Sequence, residues 1–265
     1  MAGLAMVTGA SSGIGEAYAE RLAADGWNLV VVARRADRLE ELRARLVTAH
    51  GIDVQAVQAD LSRSVELDRV CEQIAKARLD MLVNNAGLAH YMPFAELEPG
   101  RARELVEVNV LAPVLLSRAA VAGMVARGSG AIINVASLLA FSGAVRGEHM
   151  PQRAIYAATK SFLVTFSRVL ADEVLEHGVR VQVVCPGVVR SEFHSRQGMD
   201  LSAVPRMEPQ DVVRASLADL ADGVLVSVPG LADLDALGRQ DAAGEELVAA
   251  ARTAKLPARY DRERG

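Results

Sequence analysis

Thr8-Gly9-Ala10-Ser11-Ser12-Gly13-Ile14-Gly15 decides the fold. An apolar run, Leu4 to Val7, precedes it and an amphipathic segment, Ile14 to Asp25, follows it. The stretch therefore reads as the turn between a buried strand and a helix. In that setting the glycines have tasks. Gly9 permits a sharp turn, Gly13 lets backbone approach a pyrophosphate, and Gly15 lets helix pack closely on strand. Ser11, Ser12 and Ile14 complete a turn that brings unpaired helix N–H groups to face phosphates. A dinucleotide site is predicted here.

Outward from this turn, Leu29 to Ala33, Val54 to Gln58, Met81 to Asn84, Ala131 to Val135, Val181 to Val184 and Val224 to Val228 read as further strands. Between them Arg38 to His50, Val65 to Lys76, Ala102 to Arg127, Ile155 to Glu176 and Pro209 to Leu220 read as helices. The strands are apolar on both faces, so both faces are covered, and strict β–α alternation makes the sheet parallel. The expectation is an α/β fold with a doubly wound, seven-stranded parallel sheet between two helical layers. No linker divides the chain, so 1–265 is read as a single domain. Two segments break the rhythm. Residues 187–208 form a long loop, with a short helix near Glu192 to Gln197, of the kind that covers a substrate, and its Phe193, His194, Met199, Leu201 and Met207 suggest a partly apolar one. Residues 239–265 form a variable tail, weakly amphipathic over Glu245 to Thr253 and mobile at its end.

The totals narrow the function. The chain has 265 residues, 51% of them hydrophobic, and a net charge of −4 without a basic tract. Nucleic acid and anionic membrane are poor partners for such a surface. No leader pattern opens the chain, and no uninterrupted apolar run approaches the roughly 20 residues of a membrane span. A soluble, cytoplasmic protein is expected. Cys71 and Cys185 are far apart, lack metal-type spacing, and read as reduced, buried thiols. No metal site is expected.

The remaining motifs carry chemistry. At the end of the second strand, where an NAD site places a carboxylate for the ribose 2′-hydroxyl, this chain has Arg34 and Arg35. A guanidinium grips a 2′-phosphate, and Ser11 or Ser12 adds a hydroxyl, so NADP(H) is predicted. In a helix, the four-residue spacing of Tyr156 and Lys160 puts both side chains on one face. A nearby ammonium favours the phenolate, which would make the pair a general acid/base. Ser137 ends the fifth strand, at the sheet edge facing the crevice, where a hydroxyl stabilises charge on a substrate oxygen.

Together the T-G-x-x-x-G-x-G turn, Asn84-Asn85-Ala86-Gly87, Ser137, Tyr156-x-x-x-Lys160 and Pro186-Gly187 resemble the short-chain dehydrogenase/reductase family, in its single-domain, NADP-preferring form. The resemblance runs from Leu4 to about Val228. It implies a Rossmann-like sheet and further roles. Asp60 and Leu61 would meet the adenine, although Asp60 or Ser62 also reads as a helix N-cap. Asn85, Ala86 and Gly87 would line the adenosine side, and Pro186, Gly187 and Val188 the nicotinamide end. Lys160 would hold the nicotinamide ribose, and Asn109 would disturb its helix and anchor a proton-relaying water.

The chain departs from the family in three places. Ser137 and Tyr156 are farther apart than usual, with the extra residues near Val145 to Gln152, Arg146, Glu148 and His149 among them, read mainly as surface loop rather than as a shaper of substrate choice. Ser191 stands in for a customary threonine. The tail fits no family pattern. The implied activity is NADPH-dependent interconversion of a carbonyl and an alcohol on a small-molecule substrate, by a homodimer or homotetramer joined through the Tyr156 helix and the one after it. A catalytically silent NADP(H)-binding regulator or scaffold is the alternative. An epimerase or dehydratase is disfavoured because no second domain follows.

Overall fold

Period-two burial along the strands sets the architecture. In β1 (Leu4–Thr8) Ala5 and Val7 point to one helical layer and Met6 to the other. In β2 (Asn28–Ala33) Leu29 and Val31 part from Val30 and Val32 in the same way. Because successive side chains of a strand alternate faces, a run of consecutive apolar residues is buried throughout only if both faces are covered. In this computed structural model the described residues are 2–147, 150–195, 198, 203–233, 235–257 and 260.

Among them, β3 (Val54–Gln58), β4 (Met81–Asn84), β5 (Gly130–Val135), β6 (Val179–Val184) and β7 (Val226–Ser227) complete a seven-stranded sheet in the order β3-β2-β1-β4-β5-β6-β7. Every pairing is parallel. The order reverses between β1 and β4, which opens a crevice at their C-terminal ends. Leu22 of α1 (Gly13–Ala24), Leu39, Leu42 and Leu46 of α2 (Ala36–His50) and Val212 of α8 (Pro209–Ala221) cover one face. Leu67, Val70 and Ile74 of α3 (Ser64–Lys76), Leu116 and Met124 of α5 (Ala112–Arg127) and Val174 of α6 (Ala154–Val174) cover the other. Truncating such a core leucine to alanine typically costs about 2–5 kcal/mol.

The predicted helix Ala102 to Arg127 is longer and internally interrupted. It comprises α4 (Pro99–Val106), a π-helical turn over Glu107–Leu111, and α5. By length and composition Pro99–Arg127 is apolar enough to cross a membrane, although Arg103, Glu104, Glu107 and Arg118 interrupt its apolar runs. Leu105, Leu116, Ala120 and Met124 are buried in the protein core, and that packing accounts for the apolarity. The last strand is only Val226–Ser227, shorter than predicted. The short helix α7 covers Glu192–Ser195.

Residues 1–229 form one compact unit and 230–265 a second. In the second, α9 (Asp235–Ala251) begins ten residues earlier than the amphipathic stretch read from the sequence. Asp233 starts it, its carboxylate accepting from the Asp235 amide at 3.0 Å and pairing with Arg239 at 3.0 Å. The expected mobile end, 261–265, lies outside the described residues.

Candidate active site

A buried ladder of amides and hydroxyls fixes the strand ends that carry the site. Asn84 of β4 donates to Ser117 of α5 at 3.0 Å and to Asn134 of β5 at 2.9 Å. Asn134 donates to Ser167 of α6 at 2.8 Å. All four residues are buried, so each bond replaces lost hydration, and the ladder locks the Tyr156 helix to β4 and β5. Beside it, Thr8 Oγ1 accepts from the amides of Asn85 and Ala86, both at 3.0 Å, and the Asn85 amide group donates back to Thr8 O at 2.9 Å. This clamp explains the glycine turn. A Cβ on Gly15 would lie 2.4 Å from Gly9 O and from Asn85 Nδ2. Gly9 itself has φ +67° and meets the Ala86 backbone.

A cavity of about 690 Å³ opens over these strand ends. At one end the wall is the glycine turn, with Gly9, Ser11, Ser12, Gly13 and Ile14. Ser12 is the N-cap of α1 and its side chain caps no amide, which leaves the first-turn N–H groups for a ligand. Arg35 converges on the same place. Its guanidinium donates to Ser11 Oγ at 2.9 Å, Ser12 Oγ at 2.9 Å and Ser11 O at 3.0 Å. Arg34 also lines the cavity but pairs with Glu104 at 3.5 Å and is more exposed, so of the two predicted phosphate ligands Arg35 is the one already oriented. An anion-cradling helix start, a fixed guanidinium and two hydroxyls fit a 2′-phosphorylated dinucleotide.

Asp60 and Leu61 line this end too, together with Asn85, Ala86 and Gly87. Asp60 does not cap the helix. Its carboxylate accepts from Ser62 N at 3.0 Å and Ser62 Oγ at 2.8 Å, while Arg63 occupies the N-cap of α3.

At the other end stand Ser137, Tyr156 and Lys160, with Pro186, Gly187, Val188 and Ser191. Ser137 caps the 3-10 turn Leu138–Phe141 through its Oγ, which accepts from Leu139 N at 3.2 Å. The Tyr156 phenol is buried, and its ring stands edge-on to that of Tyr91 with centroids 5.4 Å apart. Lys160 is 3% exposed and its Nζ donates to Val135 O at 2.9 Å, 5.8 Å from the centre of the Tyr156 ring.

The expected acidification of the phenol by the ammonium is corrected here. Burial pushes Tyr156 up to about 12, against a smaller downward pull from the neighbouring hydroxyls of Ser137 and Tyr91. Burial also pushes Lys160 down, to about 8. Two groups taken out of water at this separation each favour their neutral form.

Two predicted residues do not touch the cavity. Gly15 lies beneath the turn. Asn109 is buried in the π turn, where Oδ1 accepts from Leu88 N at 3.0 Å and Nδ2 donates to Leu88 O at 2.9 Å and to Thr159 Oγ1 at 3.2 Å. It ties the loop after β4 to α6, one residue from Lys160.

Tyr91, Leu88, Leu139, Met150, Phe193 and Val204 make the substrate end apolar. None but Phe193 was singled out in the sequence. The one sequence signal for Tyr91 is its place soon after Gly87, at a strand end that faces the crevice. Met150 and Pro151 also revise the reading of the extra residues as surface loop, because both line the cavity. Arg153 holds that segment, donating to Ser142 Oγ at 2.8 Å, Ser142 O at 2.9 Å and Pro151 O at 3.1 Å. Glu148, His149, Met199 and Leu201, and the His194 side chain, lie outside the described residues. The loop from 187 to 208 is closed at its base, where Met207 N donates to Val188 O and Arg190 N to Met207 O, both at 2.9 Å. Met207 packs into the core instead of the cavity.

The sequence model of the short chain dehydrogenase family matches residues 3–201. Among curated proteins, a very-long-chain 3-oxoacyl-CoA reductase of Mus musculus is 32% identical over 193 residues, which span 71% of this chain and 60% of that reductase. An uncharacterized oxidoreductase of Methylorubrum extorquens is 38% identical over 191 residues, 71% of this chain and 74% of its own. Among solved structures, a short-chain dehydrogenase from Sphingobium yanoikuyae in complex with NADPH superposes with a TM-score of 0.92 at 36% identity, covering 99% of this chain and 100% of that one. A bulky-bulky ketone specific alcohol dehydrogenase from Comamonas testosteroni gives 0.88 at 31% identity, covering 97% and 98%.

Proposed function

We infer the function from one premise: this chain belongs to the short-chain dehydrogenase/reductase family. On it we propose an NADPH-dependent oxidoreductase that interconverts a carbonyl and an alcohol on a bulky, largely apolar small molecule. The observation that carries the reading is a single cavity lined at one end by Arg35 with Ser11 and Ser12, and at the other by Ser137, Tyr156 and Lys160. The Sphingobium relative, whose structure contains NADPH, supports the choice of cofactor. The apolar wall from Leu88 to Val204 supports the substrate class, as does the ketone specificity named for the Comamonas relative.

When bound, NADPH supplies the hydride. The glycine turn and Arg35 would hold the phosphates, Asp60 and Leu61 the adenine side, and Pro186 to Val188 the nicotinamide end. Ser137 donates a hydrogen bond to the substrate oxygen and stabilises charge developing there. Tyr156 gives that oxygen its proton. A phenol held near 12 is fully protonated at neutral pH, so it is poised as a donor, which favours carbonyl reduction. Asn109 braces the loop wall against α6. A cytoplasmic homo-oligomer is part of the proposal, supported by the exposed apolar side chains of Phe162 and Val169 on α6; its mass in solution tests that part.

The function is tested with NADPH and a panel of ketones, aldehydes and acyl thioesters of graded bulk, followed by nicotinamide absorbance. Oxidation of NADPH by bulky apolar ketones is the expected result. NADPH binding without turnover across the panel would favour a silent binding protein instead.

A further inference from the structure

One side chain holds the stretch between the 3-10 turn Leu138–Phe141 and α6. Residues 143–147 are exposed and form neither helix nor strand, so apolar burial does not fix them. Among the described residues, hydrogen bonds from 143–151 to the rest of the chain run to Ser142 and to Arg153. The Arg153 guanidinium gathers both ends of the stretch and its middle. It donates to Ser142 Oγ at 2.8 Å and Ser142 O at 2.9 Å, to Val145 O at 3.1 Å, and to Pro151 O at 3.1 Å. Ser142 is buried and its Oγ donates to Leu139 O at 2.7 Å, which makes the start of the stretch a fixed point.

We propose that Arg153 is a specificity-determining residue: by stapling this stretch it holds Met150 and Pro151 as a wall against the larger substituent of the substrate. This rests on the functional reading above.

Met150 and Pro151 are half-buried and line the cavity with Leu138, Leu139 and Tyr156. Arg153 is also the N-cap of α6, where its carbonyl accepts from Ala157 N at 2.8 Å. Tyr156 follows in the first turn. Arg153 thus carries the helix start through its backbone and the wall through its side chain, so the wall and the proton donor are registered to the same element. A planar guanidinium suits this task, because its fork meets several carbonyls at once in fixed directions. The rim agrees with a substrate that extends past its reacting carbonyl. Leu138 and Val204 line the cavity and yet are 48% and 40% exposed. The wall supplies apolar contact and no chemistry. Its loss therefore weakens the hold on a ketone large enough to touch it and spares a smaller one.

Arg153→Ala tests the proposal on the full chain. Val145 is exposed and Pro151 half-buried, so water can replace the lost bonds and the variant is expected to fold. With NADPH, KM for propiophenone is expected to rise about tenfold relative to KM for acetone, with kcat for both near wild type. Equal changes for the two ketones, or none, overturn the proposal. Met150→Ala leaves the staple in place and is expected to move the same ratio in the same direction; an unmoved ratio overturns the proposal as well, whether or not Arg153→Ala folds. A second readout needs no turnover. In protein labelled with methyl-13C methionine and loaded with NADP+, the Met150 resonance is identified by its loss in Met150→Ala. Propiophenone is expected to move it in wild type, and an unmoved resonance overturns the proposal. Wild-type protein that oxidises NADPH with neither ketone overturns the functional reading, and the resonance then decides the wall by itself.

Discussion

Glu192, on the first turn of α7, reaches Arg35 at the end of β2, with Oε2 and the guanidinium 3.1 Å apart. The contact spans the cavity mouth and puts a carboxylate on the arginine best placed for a 2′-phosphate. The residues on either side of Glu192 reach elsewhere. Ser191 lies over Gly13, where a Cβ would be 3.1 Å from its own Cβ, and the Phe193 ring centre is 6.1 Å from that of Tyr156. Three consecutive residues therefore sense the glycine turn, the phosphate arginine and the phenol.

A carboxylate and a phosphate compete for one guanidinium. Glu192→Gln is expected to tighten NADPH on the order of two- to fivefold, as suits a partly exposed pair, and to leave NADH unchanged. Arg35→Ala is expected to weaken NADPH by about 10- to 100-fold with little effect on NADH. Titration of cofactor fluorescence measures both. Equal losses for the two cofactors on Arg35→Ala would remove the 2′-phosphate assignment.

Removing the proton donor should separate chemistry from binding. Tyr156→Phe is expected to lower kcat by about 10²- to 10⁴-fold while NADPH affinity stays near wild type. Turnover at the wild-type rate would exclude the phenol as the acid.

Gly15 has no room for a side chain. A methyl there would collide with Gly9 O, a backbone atom held by the Asn85 clamp. Gly15→Ala is expected to destabilise the fold by about 1–3 kcal/mol and to weaken NADPH binding by spreading the turn. Urea unfolding and cofactor titration read the two effects, and an unaltered midpoint would contradict the packing.

Stability should carry the signature of buried Lys160. Its pKa falls from 10.5 to about 8 on folding, so between those values the unfolded chain holds a proton that the folded chain has released. The contribution of this group to unfolding free energy thus rises with pH from about 8 to 10.5, and below about 8 its burial cost is felt in full. Tyr156 runs the other way, because its pKa is raised from 10.0 to about 12: its contribution is complete below 10.0 and fades as pH climbs toward 12. Wild type is therefore expected to gain on Lys160→Met between pH 8 and pH 10 in urea unfolding, and a flat difference would contradict the burial.

The sheet was legible because its signals are local and redundant. Val54 to Gln58 and Met81 to Asn84 come out with the bounds read from sequence, since apolar runs between turn residues have few alternatives. The glycine turn and the Tyr156/Lys160 spacing were legible for the same reason. What was hidden depends on distance in the chain. Asn84 and Asn134 look like polar interruptions until Ser117 and Ser167 are brought beside them. Tyr91 has no periodicity to announce it, and its meaning comes from a ring 65 positions away. The choice of Arg35 over Arg34 follows from which way each side chain leaves the strand end. The start of α9 was missed because its first two turns lack a clear apolar stripe.

The π turn at Glu107–Leu111 has a counting consequence. A π turn accommodates one surplus residue, so the angular bookkeeping of the rod is reset there. Positions before and after it that look in phase at 100° per residue are out of step by one such increment. A single-residue deletion within this turn could be absorbed by rewinding to ordinary α geometry, sparing the rod but swinging Asn109 off the Leu88 backbone. The rod's continuity and the loop's anchorage are thus separable properties of the same five residues.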